Sequence, residues 1–137
     1  MDMKTFNQTI IEEFRANGGK VAMFAGHPMV ILHTIGAKSG REHLVPLVLT
    51  INGDNEWLLF GSYAGAQKHP IWVSNLRAKP DITVEYGTER FSARIEELPD
   101  DEARGKVRIQ AGVSEQFADY VKSAAPRNIP VFRVHRA

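Results

Sequence analysis

The chain has 137 residues, 43% of them hydrophobic and 24% charged, with a formal net charge of +1. This is the composition of an ordinary soluble globular domain, without the basic excess or stripe of a nucleic-acid binder. It contains no cysteine, which excludes disulfides, thiolate metal sites and cysteine nucleophiles and fits a reducing cytoplasm.

No apolar run reaches membrane-spanning length, and Asp2, Glu12 and Glu13 near the start do not suit a secretory signal. At this length one domain over 1–137 is expected, burying roughly two-thirds of the surface its unfolded chain exposes. Within the first 20 residues, Met3, Phe6, Ile10 and Phe14 recur at helical spacing and Gly18-Gly19 closes the pattern, so 3–17 reads as an amphipathic helix. Its role is packing on the core or on a partner subunit. A membrane-surface role is the lesser reading, because the polar face carries both signs.

Met29 to Ile35 and Leu44 to Asn52 read as strands, rich in Val, Ile, Leu and Thr. Asn52-Gly-Asp-Asn55 reads as a hairpin turn into a strand from Glu56 to Ser62. Pro70 suits the first turn of a short helix that ends before Pro80. Ile82 to Tyr86 and Arg90 to Glu97 alternate around Gly87-Thr88 as a second hairpin. Asp100-Asp-Glu102 starts a further helix; Gly112 is expected to interrupt it, and Ser114 to cap a second piece to about Ser123. Val131 to Val134 is the final strand. Antiparallel strands, two hairpins and peripheral helices predict an α+β fold built on a small β-barrel.

Two loops carry candidate chemistry. In Gly36-Ala-Lys-Ser-Gly40, glycines can turn backbone N–H groups toward one point, while Lys38 and Ser39 add a charge and a hydroxyl. Such a nest binds phosphate or carboxylate, and Arg41 and His43 add donors nearby. The competing reading is a plain surface turn. In the second loop, Gly61, Ala64, Gly65 and Ala66 are small enough to let backbone approach a planar ligand. Lys68 and His69 precede a helix start, where free N–H groups favour negative charge. On that helix Trp72, Asn75 and Lys79 share a face. Trp72 reads equally as core; a buried Asn75 would need partners.

There is no HExxH, GxSxG or Rossmann GxGxxG signature, and the histidines at 27, 33, 43, 69 and 135 lack metal-ligand spacing. No metal is expected. An enzyme built this way would rely on a cofactor for its hard chemistry.

Thr34-Ile-Gly-Ala-Lys-Ser-Gly-Arg41, Val45-Pro-Leu47 and Gly61-Ser-Tyr-Ala-Gly-Ala-Gln-Lys-His-Pro-Ile-Trp-Val-Ser-Asn-Leu-Arg-Ala-Lys-Pro80 together resemble the deazaflavin-dependent nitroreductase family of actinobacteria, in motif order and spacing over nearly the whole chain. The resemblance implies a split β-barrel that binds reduced coenzyme F-420 and passes hydride to an electron-poor small molecule: a quinone, an enone, an unsaturated lactone or a nitroimidazole. It further implies that Lys38 and Ser39, flanked by Ala37 and His43, hold the phosphate and part of the glutamate tail. Val45, Pro46, Leu47 and Val48 would line the ring. Phe60, Gly61, Ser62 and Tyr63, with Ile71, Trp72 and Asn75, would close the cofactor site. Phe117 and Tyr120 would face the substrate, with Tyr120 and the Ser62 region stabilising charge on the acceptor.

The chain departs from the family pattern at Ala37, where a basic residue is common, at His43 (commonly Arg), at Tyr63 (commonly Lys) and at Phe117 (commonly Tyr). The tail site is therefore less charged, with Arg41 and Lys68 as substitute cations, and nitroimidazole reduction is less expected. Other readings stay open: an FMN enzyme on the same barrel, a non-catalytic coenzyme carrier, or solvated basic turns. A monomer or a homodimer fits equally.

Overall fold

In a computed structural model of the chain, described over residues 2–53 and 56–137, seven strands form one antiparallel sheet. They are β1 (Met29–Ile35), β2 (Glu42–Val48), β3 (Thr50–Asn52), β4 (Glu56–Phe60), β5 (Asp81–Tyr86), β6 (Glu89–Glu97) and β7 (Val131–Arg136). Their order is β2-β1-β5-β6-β7-β4-β3. The two edge strands, β2 and β3, are neighbours in sequence, so one run of chain closes the curled sheet into a split barrel. The single strand expected over 44–52 breaks at Leu49, whose side chain is buried and whose N–H donates to the Pro28 carbonyl at 2.8 Å. Before that break the run pairs with β1, and after it with β4. Pro46 is tolerated because β2 has a neighbour on one side only. Of the turn expected over 52–55, Asp54 and Asn55 lie outside the described residues.

Alternation along β1 divides the core. Val30 and Leu32 point into the barrel, where they join Leu59, Trp72, Val84, Ile95 and Phe132. Met29 and Ile31 point outward and are covered by helix α1 (Met3–Ala16), through Ile10, Ile11 and Phe14. Burying those three side chains stabilises the docked helix by roughly 5–9 kcal/mol as an upper estimate. Apolar contact therefore dominates α1 docking, and an ion-pair cluster fixes its orientation. Arg15 at the helix end makes two bonds to Glu85 of β5, at 2.7 and 3.1 Å, and His33 Nε2 lies 2.6 Å from the same carboxylate.

Helix α2 (Ile71–Ala78) packs Trp72, Val73 and Leu76 inward, with Pro70 as its cap and an end before Pro80, as the prolines predicted. Helix α3 (Asp100–Val113) begins on its acidic triplet. It continues through Gly112, against expectation, since one exposed glycine costs only about 1 kcal/mol. The break comes at Ser114, which is extended and whose hydroxyl accepts the Phe117 N–H to start α4 (Glu115–Ala124). The last strand reaches Arg136, beyond Val134, because Arg136 pairs with Ala93 of β6.

The Arg15 guanidinium, followed by His33, holds the Glu85 carboxyl at about 2, below its ordinary value of 4.5. A carboxylate lowered in the folded state adds stability above its unfolded pKa and loses it as pH falls through the folded one. Stability carried by Glu85 should therefore fade between about pH 4.5 and about pH 2. Urea midpoints across that range should flatten in Glu85→Gln. At neutral pH, Arg15→Ala should cost about 2 kcal/mol, less than a fully buried pair because the arginine is half-exposed; an unchanged midpoint would rule out the ion pair as a fastening of α1.

Candidate active site

A cavity of about 380 Å³ opens between α1, the β2–β3 joint, the 61–70 loop and α3–α4. From the expected cofactor residues, Pro46, Leu47, Val48, Phe60, Ser62, Tyr63 and Trp72 line it, and both expected substrate residues, Phe117 and Tyr120, reach it. The walls are mostly apolar: Trp72 packs tilted against Phe132 with ring centroids 5.6 Å apart, and Phe60 meets Phe117 edge-on at 5.1 Å.

Several expected residues lie away from this cavity. Val45 is half-buried and packs on the barrel core. Ile71 is 79% exposed, on the outer side of α2. Gly61 is buried behind the wall, where a Cβ would stand 2.8 Å from Pro130. Ala37, Lys38 and Ser39 belong to the exposed turn between β1 and β2, and His43 is exposed on β2, paired with Thr34 of β1.

That turn is not an open nest of backbone donors. The Gly36 N–H bonds the Arg41 carbonyl at 2.8 Å, the Gly40 N–H bonds the Gly36 carbonyl at 2.9 Å, and the Arg41 N–H reaches Ser39 Oγ at 3.2 Å. The Ala37 N–H donates to Asn75 Oδ1 at 3.0 Å. The turn instead gathers side chains. A Cβ on Gly36 would collide with the Ser39 hydroxyl and stand 3.2 Å from His43 Nε2, while Lys79 Nζ comes within 3.8 Å of where a Gly40 Cβ would be. Asn75 thus finds its partner in the turn, and through it α2 positions the cationic loop.

The second loop carries backbone strain. Tyr63 and Ala64 both have left-handed φ, 48° and 51°, beside Gly65 at 80°; each non-glycine residue so held costs on the order of 1–3 kcal/mol. Gly65 is required twice over, by its φ and because Ser123 Cβ and Tyr120 Cα would lie 2.9 and 3.1 Å from a side chain there. This seats the loop directly on α4, next to Tyr120. Arg127 holds the loop in place: its guanidinium donates to the carbonyls of Gly61, Ser62 and Ala66 at 2.7–3.0 Å and meets His69 Nδ1 at 2.9 Å. Burial, and then the neighbouring Arg127 charge, lower the His69 pKa and favour the neutral imidazole.

Sequence reasoning missed Arg127, whose partners lie about sixty residues away in the chain; a lone arginine between Pro126 and Ile129-Pro130 was the only local sign. It also missed Phe6, Asn7 and Ile10, by which α1 walls the cavity, as well as Gln110 and Gln116. The helical periodicity showed an apolar stripe without showing that its first turns overhang a site. Among the described residues no group of histidines and carboxylates is arranged to hold a metal.

The fold is an antiparallel split barrel with a mostly apolar cavity on one side. The family model for F420H2-dependent quinone reductases matches residues 6–136, and the chain belongs to that family. It is an oxidoreductase that draws its reducing equivalents from reduced coenzyme F-420. An F420H2-dependent quinone reductase of Mycobacterium tuberculosis is 28% identical over 127 residues, covering 86% of this chain and 81% of the relative. Among solved structures, the F420-H2 dependent reductase FDR-A matches with a TM-score of 0.66 at 30% identity, over 79% of this chain and 94% of that one. A protein described as a domain-swapped dimer matches with a TM-score of 0.68 at 25% identity, over 98% and 100% of the two chains.

If Arg127 holds the strained loop, Arg127→Leu should speed hydrogen exchange at the Gly65 and Ala66 amides by about tenfold or more, given about 1.5–3 kcal/mol for each charge-assisted bond lost. The His69 titration should also move upward. Unchanged exchange would show that the loop holds itself.

Proposed function

We propose that this protein reduces quinones and enones, with the coenzyme ring in the 380 Å³ cavity and the coenzyme tail on the β1–β2 turn. One observation carries the reading. Along α2 and its C-terminal cap, Trp72 lines the cavity, Asn75 bonds the turn, and the capping residue Lys79 approaches Gly40. Seven residues of helix span about 10 Å, so a rigid element links an apolar wall to a cluster of cations. A planar ring with an anionic tail fits such a two-part site.

The bound coenzyme supplies a hydride, a two-electron donor chemistry that the side chains present do not provide. The chain contributes binding, orientation and proton supply. Pro46, Leu47 and Trp72 offer apolar contact to the ring and exclude water from its face. Lys38, Arg41 and Lys79 attract the tail. Lys79 here offsets the charge missing at Ala37 and His43. Tyr120 and Ser62 present hydroxyls to the cavity. A hydroxyl facing the acceptor oxygen stabilises the negative charge gathering there and can supply the proton that oxygen takes up. Phe117 lacks such a hydroxyl, so nitroimidazoles are the weaker acceptors.

We take residues 1–137 as one reductase domain acting in the cytoplasm. The domain-swapped relative supports a homodimer, which size-exclusion chromatography with light scattering can check. Among the described residues no helix is long and apolar enough to cross a membrane.

Oxidation of the reduced coenzyme, followed by its absorbance against menadione, cyclohexenone, a coumarin and a nitroimidazole, should be fastest with the first two. A clear preference for the nitroimidazole would overturn the acceptor assignment. In fluorescence titrations, Lys38→Ala and Lys79→Ala should each weaken coenzyme binding several-fold, more at low salt than at high; wild-type affinity in both would remove the turn from the site. Tyr120→Phe should lower turnover by about 10- to 100-fold with little change in coenzyme affinity. Full turnover would exclude it as the proton donor.

A further inference from the structure

A second cavity, about 670 Å³, lies around the other side of α2, where His69 and Arg77 line it together with α3 and the 127–130 segment. Small-molecule sites commonly occupy roughly 300–1,000 Å³. It shares no lining residue with the first cavity. Its floor is apolar, built from Leu98, Val107 and Ile129.

The charge on its rim is unbalanced. Glu97 is occupied by a two-bond pair with Arg77, at 2.8 Å each. Asp100 is the other acid on the rim, against Arg104, Arg108 and Arg127; the exposed Asp101 carboxylate lies 3.7 Å from Arg104. Arg104 and Arg108 are one helical turn apart on α3 and exposed. Arg127 forms no ion pair among the described residues and donates only to carbonyls and an imidazole. A half-buried guanidinium surrounded by neutral dipoles projects its field into the adjoining space. An anion there gains Arg108 and Arg127, and Arg104 to the extent that it leaves its long, exposed contact with Asp101; an apolar body attached to it covers the floor. Phosphate alone would leave that floor wet.

We propose that this cavity binds an amphiphilic anion, a carboxylate or phosphate head on an apolar chain or ring, and that its occupancy is felt at the 61–70 loop. The head group sits among Arg104, Arg108 and Arg127, and the body lies along Val107 and Ile129. The link to the loop is Arg127 itself. An anion drawing on its guanidinium competes with the carbonyls of Gly61, Ser62 and Ala66; Ser62 lines the first cavity, and Gly61 and Ala66 belong to the same loop. The binding site stands whether or not the first cavity holds the coenzyme.

The test is amide NMR on the labelled full chain, titrated with decanoate, decyl phosphate, decanol and inorganic phosphate, each below its aggregation concentration. Saturable shifts are expected at 103–111 and 127–129 with both anionic amphiphiles, and about tenfold weaker binding of decanol and of phosphate. The tighter of the two anions identifies the head group. Arg104→Ala with Arg108→Ala, both on the exposed side of α3, should weaken decanoate by about tenfold while leaving thermal unfolding unchanged. Equal binding of decanol, shifts confined to Phe6, Trp72 and Tyr120, or full affinity in the double variant would each overturn the site. Shifts on α3 without any at Ser62, Gly65 and Ala66 would overturn the link to the loop.

Discussion

The loop wall of the first cavity depends on one guanidinium. The segment from Gly61 to Pro70 must leave β4, pass two non-glycine residues in left-handed backbone, and reach the start of α2 within ten residues. A short path of this kind leaves carbonyls pointing inward with no strand or helix to receive them. Arg127 meets three of those carbonyls at once. Its fork of donors is rigid and always charged, so the loop is cast around it as around a template. Remove that template and the wall carrying Ser62 and Tyr63 loses its shape, whatever the apolar packing behind it does.

The barrel and the helices divide the labour. The barrel core supplies rigidity through long aliphatic side chains on β1, β4, β5, β6 and β7. The helices supply the site: α1 overhangs it, α2 runs past it, and α3 and α4 close its far side. A charged fastening holds α1 to the barrel at Glu85, and a second one ties α3 down through Lys106 to Glu56 at 2.8 Å and through Glu102 to Arg133 at 2.7 Å, Arg133 itself holding Glu56 at 2.8 Å. Glu56 is held at about 2 by Lys106 and then by Arg133, so that fastening stays ionised across ordinary pH. Both the walls and their supports are therefore set before any ligand arrives, which is the condition for orienting a flat ring.

Much of this could be read from the residues. The alternation of Val30, Leu32 and Thr34 against Met29, Ile31 and His33 marks a strand covered on both faces. Pro70 and Pro80 bracket α2, and Ser114 caps α4. Pro46, Leu47 and Trp72, expected together from the sequence, line one cavity. What stayed hidden depends on distant partners. Nothing local to Gly36 or Gly40 reveals that their N–H groups close the turn on itself, because the acceptors are set by the turn's own geometry. Nor does Arg127 advertise carbonyls some sixty residues upstream. The exposed Ile71 fell on the wrong side of α2 because one residue of helix turns a side chain by about 100°. Gly112 misled because a weak helix former is not a helix stop.

The closure at Leu49 has its own consequence for what the protein can accept. A barrel stitched by continuous ladders has one diameter; this one is joined where a single run of chain passes from one edge to the other. At the joint, the backbone fastening among the described residues is Leu49 to Pro28, beside Val48 and Thr50 of the cavity wall. Parting it would give up that hydrogen bond, about 1 kcal/mol, and also the burial of the Leu49 side chain, about 1.5–3 kcal/mol. The seam is thus held by side-chain packing at Leu49 more than by its single backbone bond, so the cavity wall at Val48 and Thr50 takes its width from the barrel core.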